Sequence, residues 1–106
     1  MPTVVSFVLR PPVLITIIRT LAKDSGNVVF SDHALDRMET RGMTTLDAVR
    51  ALRIGEIVGE IKAGKNAGEW KCKVVERRKN ARDIGVATVV VDGKRLFIKT
   101  VEWEDR

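Results

Sequence analysis

The sequence predicts an α+β domain in which three N-terminal helices pack on one face of a mainly antiparallel four-stranded sheet. Up to Gly55, apolar residues recur at the three- and four-residue spacing of helices, and turn residues separate the segments. From Glu56 onward, apolar and polar residues alternate, and β-branched residues become frequent. Because the helical patterns precede the strand patterns, the order favours an α+β fold over alternating βαβ units.

The first helix is predicted to begin at Pro11-Pro12 and to end near Ser25-Gly26-Asn27, where turn residues cluster. One face of this helix carries the apolar stripe Leu14, Ile17, Ile18, Leu21 and Ala22. A second helix is expected after Ser31, a favourable N-cap, and it should end at Gly42 in a C′ position. Its predicted apolar face is Ala34, Leu35 and Met38.

The third helix is predicted from the capping box that Thr44 and Asp47 form at its start. Gly55 is its predicted end, and Leu46, Val49 and Leu52 are its predicted buried residues.

Four strands are predicted at about residues 56–62, 69–78, 84–91 and 94–103. Asp92-Gly93 predicts a two-residue hairpin turn between the last two strands, because both residues tolerate a positive φ. In that register Val89 lies opposite Leu96, and Ala87 lies opposite Ile98. These four residues then form an apolar face for the helices. The other face carries Arg95, Lys99, Thr88, Phe97, Val101 and Trp103.

Length and composition indicate one domain, predicted at residues 11–106, with residues 1–10 as a segment of uncertain structure. A single cysteine and a single histidine cannot form a zinc site, so we expect neither metal nor cofactor. Cys72 alternates with Trp70 and Val74 as a core residue would. No uninterrupted apolar run is long enough to span a membrane, and we expect a cytoplasmic protein with no membrane partner.

Positive charge is concentrated between residues 62 and 82, in a chain of net charge +5. A segment of this kind is typical of phosphate-binding surfaces, although a solvated edge has the same composition. Basic residues interleaved with an aromatic side chain on an open sheet face suit single-stranded RNA. The predicted RNA-binding residues are Lys71, Lys73, Arg77, Arg95 and Phe97.

His33, Arg37 and Arg41 follow one another at four-residue intervals and therefore share one ridge of the second helix. An imidazole can exchange a proton near neutral pH, and guanidiniums can hold a phosphodiester. These are the parts of a metal-independent ribonuclease. In the alternative interpretation, His33 bonds a neighbouring loop and the two arginines pair with nearby acids.

The run FSDHALDRMETRGM, from Phe30 to Met43, resembles the S-x-H-A-x-x-R-M-x-x-R-G-[IM] signature of a bacterial domain family related to the RelE superfamily of toxins. The Arg-Pro-Pro start and the closing VVDGKRLFIKTVEW hairpin also resemble the MqsR-like messenger-RNA interferases, so the likeness covers roughly residues 11 to 104. The chain has no tyrosine, a residue commonly found on the sheet of such enzymes.

This resemblance implies a type II toxin that cleaves messenger RNA, with His33, Arg37, Arg41 and Lys99 as the candidate catalytic residues. It also implies a cognate antitoxin, often with a zinc-binding domain and a helix-turn-helix, and the ribosome is a further candidate partner. Two alternatives remain open at this point. The first is a non-catalytic RNA- or protein-binding module of the same fold, and the second is a structural subunit whose basic strip pairs with an acidic protein.

Overall fold

The computed structural model describes residues 10–104, so the prediction for residues 1–10 lies almost entirely outside the described residues. The helices are α1 (Pro11–Ala22), α2 (Asp32–Arg41) and α3 (Thr45–Ile54), with a short 3-10 turn at Ser25–Asn27. The strands are β1 (Val28–Phe30), β2 (Glu56–Ala63), β3 (Glu69–Glu76), β4 (Asp83–Val91) and β5 (Arg95–Glu104). No helix within residues 10–104 is long and apolar enough to cross a bilayer.

The described strands form one five-stranded mixed sheet in the order β1-β5-β4-β3-β2, so the predicted four-stranded sheet is wrong. The additional strand, β1, lies between α1 and α2 in the chain and pairs in parallel with β5. Three residues, Val28, Val29 and Phe30, are too few for an alternating pattern to stand out in the sequence. The class, α+β, is as predicted.

Local signals place the three helices where the sequence predicts them. The Ser31 hydroxyl accepts a hydrogen bond from the backbone N–H of Ala34, and Gly42 ends α2 with a φ of 70°. Thr44 and Asp47 form the reciprocal capping box of α3. These signals operate within a few residues and need no tertiary contact.

All three helices and one face of the sheet share a single apolar core, which includes Leu14 and Ile18 of α1, Met38 of α2 and Leu52 of α3. Two predicted core residues lie at its margin or outside it. Leu46 is 78% exposed and Leu35 is 44% exposed. Leu46 lies in the first turn of α3, directly after the capping box, on the side of the helix that faces away from the sheet.

The predicted register of the β4–β5 hairpin is wrong by one residue. Asp92 and Gly93 do adopt positive φ, but Lys94 belongs to the turn and Val91 pairs with Arg95. Because side chains alternate between faces, this shift exchanges the two faces of β4. Val86, Thr88 and Val90 therefore face the helices, whereas the predicted Ala87 and Val89 lie on the opposite face.

A bulge in β5 reverses the alternation a second time. Thr88 pairs with Ile98 and Ala87 with Thr100, so Lys99 is the extra residue. Before the bulge Leu96 and Ile98 are in the core, and after it the core residue is Val101. The prediction that Val101 and Trp103 share a face with Arg95 and Phe97 is therefore wrong.

Helix α2 covers the part of β5 that β1 is too short to pair. Beyond Phe30, the backbone N–H of Ser31 donates to the Ile98 carbonyl, and the Ser31 hydroxyl donates to the Lys99 carbonyl at 2.9 Å. At the other end of α2, Arg41 Nη1 donates to the Val101 carbonyl at 3.1 Å. Side chains of α2 and of its N-cap thus satisfy strand carbonyls that would otherwise lack a partner.

Candidate nucleic-acid interface

No helix among residues 10–104 packs on the second face of the sheet, which we call the open face. One row of paired residues crosses this face through all five strands, and it consists of Val29, Phe97, Val89, Lys71 and Lys62. The first three side chains are apolar and the last two are basic. The row is therefore an apolar platform with a cationic end.

Two adjoining hollows lie along this row. The first, of about 230 Å³, is lined by Phe97 and Val89 together with Lys65, Lys71 and Lys99. The second, of about 360 Å³, lies toward β2 and adds Lys62 and Lys73 to the lining. Lys71 and Lys99 line both hollows, so they mark the boundary between them.

Three of the lysines that line the hollows, Lys62, Lys71 and Lys99, lack acidic partners among residues 10–104. Lys62 and Lys71 are direct cross-strand partners, an arrangement in which like charges repel. Within residues 10–104, no ion pair involves Lys62, Lys71 or Lys99. Glu60 and Glu102 line the second hollow, but neither of them pairs with these lysines. An anion placed here would relieve the repulsion between the ammonium groups.

Glu69, the acid that lines the first hollow, is hydrogen-bonded within its own loop. Both oxygens of the Glu69 carboxylate accept hydrogen bonds from Asn66, through its side-chain amide and its backbone N–H. These bonds lower the pKa of Glu69 below its ordinary value. Glu69 therefore stays charged and shapes the loop between β2 and β3, where the nearby Lys65 also lowers its pKa, and it forms no ion pair with Lys71 or Lys99.

The other predicted RNA-binding residues lie in three different settings. Lys73 lines the second hollow, and its Nζ pairs with Glu104 at 2.8 Å. Arg95 is exposed beside the hairpin turn, opposite Val91. Arg77 lies past the far end of β3, where its Nη1 is 3.5 Å from Asp83. Arg77 is thus not part of either hollow.

His33 and Arg37 form an exposed pair on α2. Arg37 Nε donates to His33 Nε2 across 3.5 Å, so this ring nitrogen is the acceptor in that contact. His33 lies two residues after Ser31, whose hydroxyl contacts the Lys99 carbonyl. In the described chain, no hydrogen bond or ion pair joins His33 or Arg37 to a side chain of the sheet.

Arg41 differs from the two residues that precede it on the ridge. Its guanidinium donates to the carbonyl of the fully buried Val101, and its own carbonyl accepts a hydrogen bond from Trp103 Nε1 at 3.3 Å. The structure therefore brings Arg41 into the packing of α2 against β5. No hydrogen bond within residues 10–104 joins Arg41 to the exposed His33–Arg37 pair.

The structure also shows where Cys72 and Trp103 lie. Cys72 is buried in the core as expected, and burial raises the pKa of its thiol to about 11. Trp103 packs against the core and lies under the Arg82 guanidinium, 5.1 Å from the ring centre. Among residues 10–104, no group of three or more His, Cys, Asp or Glu side chains is arranged to hold a metal ion.

Sequence reasoning missed Lys62 and Lys65 as site residues, along with the glutamates of the second hollow. Both lysines lie within the basic segment, but their position depends on the pairing of β2 with β3. That pairing is interrupted by an irregularity between Val58 and Lys62, where Gly59 adopts a φ of 82°. The glycine was the available signal, since an isolated glycine in a strand pattern indicates a bulge.

Comparison with known proteins adds a family. No curated protein and no solved structure matches the chain. Residues 30–103 match the family described as a domain of unknown function, DUF4258. This match begins at the last residue of β1 and ends within β5, so it includes α2, the hairpin and every residue of the open-face row except Val29. Because it spans more than half of the sequence, the chain belongs to the DUF4258 family.

Proposed function

We propose that this protein is a cytoplasmic endoribonuclease that holds single-stranded messenger RNA on the open face of its sheet and acts as the toxin of a type II toxin–antitoxin system. The observation that carries the proposal is the unpaired set Lys62, Lys71 and Lys99 beside the Phe97 platform. A nucleotide presents a phosphate for such lysines and a base that stacks on an aromatic ring.

Cleavage would use the substrate's own 2′-hydroxyl as the nucleophile. Its oxygen attacks the adjacent phosphorus, the bond to the 5′-oxygen breaks, and a cyclic phosphate remains on the upstream fragment. His33 accepts the proton of the 2′-hydroxyl or donates one to the departing oxygen, and Arg37 and Lys99 stabilise the charge that develops on the phosphate. Two features support this assignment. They are the exposure of the His33–Arg37 pair and the attachment of α2 to the Lys99 backbone.

The cognate antitoxin, with its zinc-binding and helix-turn-helix parts, and the ribosome belong to this proposal as partners. The free protein should arrest bacterial growth, and we expect a small antitoxin-like reading frame beside its gene whose co-expression relieves that arrest. Normal growth with abundant folded protein would contradict the toxin assignment.

The decisive experiment compares His33→Gln with the parent on single-stranded RNA and on DNA of the same sequence. The parent should cleave only the RNA, because DNA lacks the 2′-hydroxyl. His33→Gln should lower the rate by about 100-fold to 10,000-fold, the usual contribution of a general acid or base. Its affinity for the uncleavable DNA strand should change little. Glu39→Gln, an exposed substitution on the same helix, is the matched control.

One observation favours a second candidate, a non-catalytic RNA-binding module. Arg41 is used in packing α2 against β5, which leaves only two exposed members of the predicted catalytic ridge. A parent protein that binds RNA through Lys71 and Lys99, but cleaves none with or without ribosomes, would establish this alternative.

A further inference from the structure

A second basic region lies in the loop between β3 and β4, away from the two hollows. Arg77, Arg78, Lys79 and Asn80 line a concavity of about 530 Å³ in this loop. Three consecutive cations thus surround one recess.

The loop is held in place by a buried acid. Asp83 is 3% exposed, and its Oδ1 accepts a hydrogen bond from the backbone N–H of Arg78 at 2.8 Å. Its Oδ2 pairs with Arg77. Asp83 therefore pairs with Arg77 and holds the backbone of Arg78, while Arg78 and Lys79 form no ion pair within residues 10–104. The cations are presented on a preorganised backbone.

The loop and the first hollow lie at opposite ends of the sheet. The first hollow is next to the hairpin turn, where the Asp92 N–H donates to the Gly68 carbonyl at 2.9 Å. Six residues separate Lys71 from Arg77 along β3, a distance of about 20 Å at the rise of a strand. A single phosphate cannot contact both regions.

We propose that the loop at residues 77–82 is a second phosphate-binding contact for the same RNA strand that occupies the hollows. This inference rests on the proposed function, since it assumes RNA on the open face. It specifies the substrate further: a single strand long enough to extend about 20 Å along β3. A short oligonucleotide would occupy the hollows alone.

The test measures the binding of uncleavable 2′-O-methyl RNA strands of about 4 and about 16 nucleotides, the range of site sizes on single-strand-binding folds. The loop variant is Arg78→Gln with Lys79→Gln. The hollow variant is Lys71→Gln with Lys99→Gln. The matched control is Arg10→Gln with Lys23→Gln, which removes two exposed cations from the ends of α1. Lys79→Glu provides a second loop variant at an exposed position, and thermal unfolding verifies that each protein folds.

The loop variant should bind the long strand about 25-fold more weakly at ~0.1 M salt. Its salt slope should fall by about 1.4, because each neutralised phosphate contributes roughly 0.7. Its affinity for the short strand should equal that of the parent, and the control should match the parent on both strands.

Unchanged binding of the long strand by both loop variants would overturn the inference, and so would an equal loss on both strands. A loss confined to an RNA duplex of the same length would assign the loop to duplex RNA instead and overturn the single-strand version. Failure of the proposed function is distinguishable, because in that case the hollow variant would bind both strands as the parent does.

Discussion

Replacing Arg41 with alanine should destabilise the fold by about 2 kcal/mol, the value of a hydrogen bond between a charged donor and a partly buried acceptor. Arg41 Nη1 donates to the carbonyl of Val101 at 3.1 Å, and Val101 is fully buried. This carbonyl lies past the end of β1, so no strand donor takes the place of the guanidinium. The alanine variant leaves a strand carbonyl without its partner.

The expected fall in melting temperature is on the order of 10 °C, since 1 kcal/mol corresponds to roughly 4–8 °C in a domain of about this size. Arg37→Ala is the matched control, because Arg37 lies one turn away on the same helix and its side chain bonds the exposed His33. Its effect should stay within about 0.5 kcal/mol.

Thermal and urea unfolding followed by circular dichroism measure both variants. Equal melting temperatures for Arg41→Ala and Arg37→Ala would refute the structural role of the Arg41 hydrogen bond. RNA binding by folded Arg41→Ala then tests its predicted phosphate contact, which stays a prediction.

Three further outcomes are expected. Charge reversal at Lys71 or Lys99 should reduce the dependence of RNA affinity on salt, measured as the slope of log K against log salt concentration. The reduction should be about 0.7 for each phosphate that the protein no longer neutralises. An unchanged slope would mean that the open face is only a solvated surface. Leu52→Ala should cost about 2–5 kcal/mol in urea unfolding because Leu52 is fully buried, whereas Leu46→Ala should cost little. The Cys72 thiol should react slowly with a thiol reagent at about pH 8, because burial raises its pKa to about 11. Unfolding in urea should make the reaction fast. Rapid reaction of the native protein would contradict the burial of Cys72.

The sequence alone determined the three helices and both residues of the hairpin turn with positive φ. Ser31, Gly42 and the Thr44–Asp47 box each act on backbone groups within about four residues. Asp92 and Gly93 likewise define a local conformation. Such signals can be read without knowledge of the fold because the atoms that interact are close in sequence.

Tertiary structure decided the fifth strand and the two faces of the sheet. The parallel pairing of β1 with β5 joins segments almost seventy residues apart, and its three residues carry no pattern of their own. One residue added to the hairpin turn and one bulge at Lys99 were enough to exchange the faces of β4 and of the end of β5. In a strand, the side chains of successive residues point to opposite faces of the sheet. The register between paired strands determines which of the two sets faces the core.

The same distinction applies to the candidate site. The basic and aromatic residues Lys71, Phe97 and Lys99 were identifiable as members of one face, because each alternates with core residues of its own strand. The sequence does not show that Lys62 lies opposite Lys71 or that Arg77 lies beyond the hollows. Nor does it show that Arg41 bonds the Val101 carbonyl. These three facts depend on strand register and on the packing of α2 along β5, which bring together residues distant in sequence, and no local pattern of residue types encodes the distance between them.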